Sequence, residues 1–319
     1  MRIITAAEIP EVISFRDLIE RLRFAFRSEI QVPLRHHHVV ERPGAADATL
    51  LLMPAWTDMA AQGHAESGYI GLKSVTVFPD NPAQGKPTIM GVYLLLSGRT
   101  GEPLAIIDGQ ELTLWRTAAA SALASTYLSR QDASRLLVVG AGALAPYLIR
   151  AHAAVRPISE VLIWNRTGAT AARVAAQMKE PDLKVAATDD LEEAVRGAHI
   201  VSCATMSPEP LVRGEWLAPG AHLDLVGGFR PDLRECDDEA VRRARVFVDT
   251  RAGALSEAGD IVQPIKSGVI TAEDVAGDLF ELTRGDRAGR RYYDQITLFK
   301  SVGTALEDLA AATLLFERT

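Results

Sequence analysis

An α/β fold, with parallel strands alternating with helices, is predicted by three features of this chain. Leu136-Leu137-Val138-Val139 is an apolar run whose length and β-branched content suit a strand buried on both faces. Gly140-Ala141-Gly142-Ala143-Leu144-Ala145 follows at once and fits the spacing G-x-G-x-x-G/A. There the first glycine permits a tight turn, the second admits a pyrophosphate close to the backbone, and a small third residue lets helix pack on strand. Beyond it, helical and strand patterns alternate as far as Asp249. A glycine pattern alone is a weak signal, but strand, turn, helix and second strand in this order specify a Rossmann-type, doubly wound parallel sheet.

The elements before that sheet are of another kind. Arg2-Ile3-Ile4 reads as a short strand, followed by helices in which Ile13, Leu18, Leu22 and Phe26 fall near a 3.6-residue period. VPLRHHHVV, residues 32–40, leads to the apolar strand Thr49–Met53. Of the three histidines only His36 and His38 share a face of a strand, and no second cluster of ligand-type residues accompanies them, so no metal is expected. From Tyr69 to Ile107 alternation, with the turns DNPAQGKP and SGRTGEP, predicts an antiparallel meander. Lys73 stands inside its first strand, either as an outward edge residue or as an inward cation with a role. ELTLWRTAAASALASTYLS, residues 111–129, is helical. Arg116 sits there among apolar and small neighbours, where burying its charge demands an anionic partner.

In the nucleotide-binding region Leu144, Leu148 and Ile149 recur at helical spacing, and Val161-Leu162-Ile163-Trp164 closes the βαβ unit. Sites that prefer NAD place a carboxylate at the end of this second strand, where it bonds the ribose hydroxyls and repels a 2′-phosphate. This chain has Asn165-Arg166-Thr167, hydrogen-bond donors and a guanidinium fork, so NADPH is expected in preference to NADH. The later strands His199–Cys203, Ala221–Val226 and Arg245–Asp249 end where ligands of such sheets collect. That makes Thr205 and Gly227 candidates for the nicotinamide end, although Thr205 reads equally well as a helix cap. Lys300 to Phe316 reads as a helix rich in Ala and Leu.

The 319 residues suit one large or two medium domains, and 48% hydrophobic content supplies buried cores. A formal net charge of −7 argues against a nucleic-acid or anionic-membrane surface. Cys203 and Cys236 read as reduced thiols of a cytoplasmic protein rather than as a disulfide scaffold. The N-terminus becomes charged too soon for a secretory signal, and no uncharged run reaches membrane-spanning length.

Lys73 in GLKSVTVFP, Thr88, Arg116 in LTLWRTAAASALAS, then GAGALA, WNRT and FKSVGTALEDLAAA together resemble the ornithine cyclodeaminase and mu-crystallin family over nearly the whole chain. The resemblance implies a Rossmann domain, residues 116–299, inserted in an α+β substrate-binding and dimerisation domain formed by 1–115 and 300–319. It implies catalysis at the cleft between them and a homodimer formed through the sheet of the first domain. It also implies that Arg35, Lys73 and Arg116 hold a substrate carboxylate, as three cations whose mutual repulsion an anion relieves. Thr88 would bond the same carboxylate or the ring's polar edge. Gly140, Gly142, Ala143, Leu144, Asn165, Arg166, Thr167, Thr205 and Gly227 would hold the cofactor.

One departure redirects the expected reaction. Cyclodeaminases of the family carry an aspartate just after the Gly-Gly that matches Gly227-Gly228, and this chain has Phe229, which accepts no proton. The stretch HLDLVGGFRPDLRECDDEAVRRARVFVDTR resembles instead the members that reduce Δ1-pyrroline-2-carboxylate and Δ1-piperidine-2-carboxylate to L-proline and L-pipecolate. A preformed imine needs a carboxylate anchor, a hydride at carbon and a proton at nitrogen, and no strong base. Lys73 is expected to deliver the proton or to steer the imine nitrogen, with Asp224 a weaker candidate that reads equally as a buried structural carboxylate. Ornithine cyclodeamination and non-catalytic binding of NADPH with a small ligand are the alternatives.

Overall fold

The computed structural model describes residues 1–60 and 68–319. In chain order it contains β1 (Arg2–Ile4), α1 (Ile9–Val12), α2 (Phe15–Ala25), β2 (Ile30–Gln31), β3 (His36–Val40), β4 (Ala48–Thr57), β5 (Tyr69–Val77), β6 (Ile89–Ser97), β7 (Pro103–Asp108) and α3 (Gly109–Leu128). There follow β8 (Arg135–Val139), α4 (Ala145–Val155), β9 (Glu160–Trp164), α5 (Gly168–Gln177), β10 (Lys184–Thr188), α6 (Leu191–Gly197), β11 (Ile200–Cys203) and β12 (His222–Leu225). The rest is α7 (Asp238–Arg243), β13 (Arg245–Val248), α8 (Arg251–Glu257), α9 (Gly259–Lys266), β14 (Val275–Asp278), α10 (Leu279–Arg284), β15 (Thr297–Lys300) and α11 (Ala305–Arg318). Two units divide the chain: Met1–Arg116 with Thr304–Thr319, and Thr117–Gly303.

In the first unit β1-β7-β6-β5-β4-β2 form one sheet, β3 also pairs with β4, and every pairing is antiparallel except that of β1 with β7. The two-residue period of a strand gives this sheet unlike faces. Lys73 is in register with Met53 on one side and Tyr93 on the other. That face, with Ala55, Gly71, Leu95, Ala105 and Ile107, is buried, and α11 packs over β4, β5 and β6. Tyr93 fits only because residue 71 is glycine, since a Cβ there would lie 1.8 Å from its hydroxyl. The opposite face carries Leu52, Leu72, Val92, Leu94 and Ile106, none of them buried. Helix α2 begins with a capping box between Ser14 and Asp17, packs against α11, and buries Leu18 and Leu22 completely. Each such leucine contributes about 1.5–3 kcal/mol.

The second unit is an eight-stranded, wholly parallel sheet in the order β10-β9-β8-β11-β12-β15-β13-β14. The apolar run of β8 becomes a central strand because both of its faces are covered. Leu136 and Val138 point into one cluster with Ile149, Ile163 and Val174, while Leu137 and Val139 point into another with Val201, Leu223 and Leu225. The chain passes from β8 to β9 on one side and returns to β11 on the other, so the order reverses at β8 and β11. Crevices for ligands open beyond the carboxyl ends of strands at such a reversal.

Two sequence expectations are corrected. The last helix starts at Ala305 rather than Lys300, because Thr297–Lys300 is a strand between β12 and β13 and Gly303, at φ 80°, with the Thr304 cap turns the chain into the helix. Strand β14 escaped notice because its four residues, VAGD, have neither alternation nor a β-branched run.

Candidate active site

At the end of β8 the glycine turn has the form its spacing predicts. Gly140 has φ 108°, and a Cβ there would meet the Ala204 carbonyl oxygen at 2.6 Å, so no other residue fits. Nothing lies within 4 Å of a Cβ at Gly142, and Gly142 and Ala143 are exposed. No side chain caps α4, and the N–H groups of Gly142, Ala143 and Leu144 have no acceptor among the described residues. An open cradle of unpaired N–H groups at a helix N-terminus fits a pyrophosphate. Asn165 shapes the turn from the end of β9: its Oδ1 accepts from the Ala141 N–H at 3.3 Å and its Nδ2 donates to the Thr167 carbonyl at 3.1 Å. Arg166 and Thr167 are exposed, and Arg166 makes no ion pair or side-chain hydrogen bond among the described residues.

Thr205 follows β11, with its methyl toward the glycine turn: Cγ2 lies 3.1 Å from a Cβ at Gly140. Both its N–H, at 2.7 Å, and its hydroxyl, at 2.8 Å, donate to Oε1 of the buried Glu235. The Gly227 N–H donates to Oε2 of the same carboxylate at 2.7 Å. Both donors of Thr205 are therefore engaged by Glu235, which leaves its hydroxyl oxygen as an acceptor, and it caps no helix among the described residues.

Asp224, on β12, is fully buried. It accepts from the hydroxyls of Ser121 at 2.9 Å and Ser202 at 2.6 Å, and His152 Nε2 lies 3.3 Å away. Burial alone would raise its carboxyl, but these partners outweigh burial and hold it below the usual range. Burial, above all, brings the neighbouring His222 down to about 3, so that imidazole is neutral. The network ties α3, α4, β11 and β12 together around the Asp224 carboxylate. Phe229 is half-buried and packs its ring on the apolar core of this unit.

In the first unit two of the anchor candidates meet carboxylates that the sequence reading did not include. Lys73 Nζ lies 2.7 Å from Asp308 Oδ2, Arg116 Nη1 lies 2.7 Å from Glu307 Oε2, and Arg116 Nε lies 3.0 Å from Asp308 Oδ1. Lys73 and Arg116 are at most 6% exposed, while Glu307 and Asp308 are wholly buried on the first turn of α11. Burial is the strongest influence on Lys73 and brings it down to about 8; Asp308 opposes this, and Arg116 and Arg35 add to it. Burial would raise Asp308, but Lys73, Arg116 and Arg35 hold it below the usual carboxylate range. Arg35, half-buried just before β3, thus acts electrostatically on the same cluster. No contact of the Thr88 side chain with these residues is seen among the described residues. Thr88 precedes β6 and lies five residues from Tyr93, the partner of Lys73, or about 17 Å at the rise of a strand.

The parallel sheet with a glycine cradle at its order reversal defines the class, a Rossmann-type NAD(P)-dependent oxidoreductase. The chain belongs to the ornithine cyclodeaminase/mu-crystallin family, whose model matches residues 1–319. It is 42% identical to Protein SAR DEFICIENT 4 of Arabidopsis thaliana, over 98% of this chain and 96% of that one. It is 36% identical to the Delta(1)-pyrroline-2-carboxylate reductase of Colwellia psychrerythraea, over 100% and 99%. Among solved structures, the Thermococcus litoralis Delta(1)-pyrroline-2-carboxylate reductase in complex with NADH and L-proline is similar, with a TM-score of 0.91 and 33% identity over 100% of this chain and 97% of that one.

Proposed function

We propose that this protein is an NADPH-dependent ketimine reductase that converts Δ1-pyrroline-2-carboxylate and Δ1-piperidine-2-carboxylate to L-proline and L-pipecolate. The observation that carries the reading is the buried meeting of Lys73 and Arg116, with the charge of Arg35 acting on it. Burial above all brings Lys73 down to about 8, with Arg116 and Arg35 adding to it against Asp308, and a substrate carboxylate beside it would favour the protonated amine. Arg116 supplies the planar fork that orients that carboxylate, and Lys73 supplies the proton to the imine nitrogen. The cofactor, when bound, supplies hydride to the imine carbon. Gly140, Gly142, Ala143 and Leu144 seat its pyrophosphate, and Arg166 with Thr167 meets its 2′-phosphate. On this reading Asp224, whose oxygens are taken up by Ser121, Ser202 and His152, is the weaker candidate for the proton donor, and Thr88 is a further candidate for the substrate carboxylate or the polar edge of the ring. Phe229 argues against ornithine cyclodeamination, since no carboxylate replaces the missing one at that position.

The test is NADPH oxidation, followed by absorbance, against five-ring, six-ring and open-chain imino acids, with NADH alongside. Oxidation that depends on the cyclic imines is expected. If no imino acid supports oxidation, the non-catalytic binding role takes its place, and ammonia release from ornithine without added reductant would instead establish the cyclodeaminase. Cofactor choice has its own test. Removal of a charge-assisted contact is worth about 1.5–3 kcal/mol, so Arg166→Asp should lower the preference for NADPH over NADH by about 10- to 100-fold. Equal Michaelis constants for both cofactors in the unaltered protein would refute the assignment of Arg166.

The same reading includes a homodimer, supported by the apolar outer face of the first sheet. Leu52, Leu72, Val92, Leu94 and Ile106 lie side by side across β4 to β7, on a scale that a lone soluble chain rarely leaves to water. Leu72→Asp should turn a dimer in sedimentation velocity into a monomer, because an unpaired carboxylate buried in an interface costs several kcal/mol. An unaltered protein that sediments as a monomer would end this proposal. A cytoplasmic location is proposed on the two buried, unpaired thiols of Cys203 and Cys236.

A further inference from the structure

Glu235 was assigned no role from the sequence, yet its carboxylate is the meeting point of the two loops beyond β11 and β12. Its Oε1 accepts both Thr205 donors, and its Oε2 accepts the N–H groups of Gly227 at 2.7 Å and Gly228 at 3.2 Å. A carboxylate offers about four acceptor sites, so this one is filled, and an amide in its place would turn N–H groups against N–H groups. Its charge is met by Lys300 Nζ at 3.8 Å. Lys300 also pairs with Asp260 at 3.0 Å, and Asp260 Oδ1 accepts from the backbone N–H of Glu235 at 2.7 Å and of Cys236 at 3.1 Å. Glu235, Asp260 and Lys300 are all wholly buried. Such a cluster stabilises a fold weakly for its desolvation cost, which favours a role in fixing geometry.

What it fixes is the wall of the crevice. The loops close so tightly that a Cβ at Gly227 would lie 1.9 Å from the Thr205 carbonyl oxygen, and Thr205 in turn borders Gly140. We propose that Glu235, held by Asp260 and Lys300, is a positioning residue that locks the loops after β11 and β12 against the glycine turn and so shapes the seat of the nicotinamide half of the cofactor. The inference rests on the nicotinamide reading above and goes beyond it, because it names a residue that touches neither cofactor nor substrate.

Two variants test it, Glu235→Gln, which keeps the size and loses the charge, and Glu235→Asp, which keeps the charge and is one methylene too short to reach both loops. In each folded variant the Michaelis constant for the cofactor should rise about 10- to 100-fold, the scale of one or two lost charge-assisted bonds, with that for the imine within about twofold at saturating cofactor. A residue that only stabilised the fold would lower the melting temperature and leave the cofactor constant unmoved. That result in either folded variant overturns the proposal. Should Glu235→Gln fail to fold, Glu235→Asp decides. Failure of the unaltered protein to bind NADPH or NADH, read by nucleotide fluorescence, would instead remove the nicotinamide reading and this inference with it.

Discussion

Replacing Arg116 by alanine is expected to lower catalytic efficiency toward the cyclic imine by tens to a thousandfold while leaving NADPH affinity within about twofold. Loss of a charge-assisted anchor is worth roughly 2–4 kcal/mol, which sets that range. The surroundings of Arg116 add a second expectation. Its guanidinium faces both Glu307 at 2.7 Å and Asp308 at 3.0 Å, and neither carboxylate has any exposure to water. Removing the cation leaves part of that negative charge uncompensated, so stability should fall by about 3–5 kcal/mol, the usual cost of breaking a buried pair from one side. Arg116→Lys separates the two effects. It keeps the charge beside Glu307 and recovers much of the stability, but it lacks the planar fork and leaves imine efficiency low. Steady-state kinetics with the imine varied, nucleotide titration and a thermal melt make the comparison. Unchanged efficiency in a folded Arg116→Ala protein would remove Arg116 from the site.

The parts of this molecule that were legible in its sequence are those in which local backbone chemistry dictates residue type. Gly140 must adopt φ 108° against the Ala204 carbonyl, so the turn betrays itself in its glycines, and the run before it must be apolar because both faces of β8 carry packing. Lys73 was half legible: alternation placed it in a strand, but only the register with Met53 and Tyr93 decides that it points inward. Its partners could not be read locally. Asp308 is more than 230 positions away along the chain, and the one signal was an acidic pair opening an otherwise apolar helix, ALEDLAAATLLF, where helix-dipole placement explains the acids equally well. Glu235 was hidden in RECDDE, where nothing local to the sequence sets the buried second residue apart from the acids that follow it. For Asp224 the sequence left a chemical and a structural reading side by side, because its three partners, Ser121, His152 and Ser202, lie on other elements of the chain.

Activity should fall as pH rises through about 8, and Asp308→Asn should move that fall to lower pH. The sign follows from the forces on Lys73. Burial, the largest, favours the neutral amine, and the charges of Arg116 and Arg35 push the same way; Asp308 is what keeps the proton on. The protonated form is the one that can both attract a carboxylate and hand a proton to the imine nitrogen, so loss of that proton ends the reaction. Without Asp308 the amine should lose its proton about one to two pH units earlier, the equivalent of the ~1.5–3 kcal/mol that a charge-assisted bond contributes. Arg35→Ala should shift the limb the opposite way, toward higher pH, because a repelling charge has gone. The position of the limb in kcat/KM, not the height of the profile, carries the information, since either substitution can also reduce the rate. The imine nitrogen titrates as well, but its ionisation in free solution is blind to residues 35 and 308. A limb that stays in place in both variants therefore belongs to the substrate, and Lys73 would then be an anchor for the carboxylate rather than the donor of the proton.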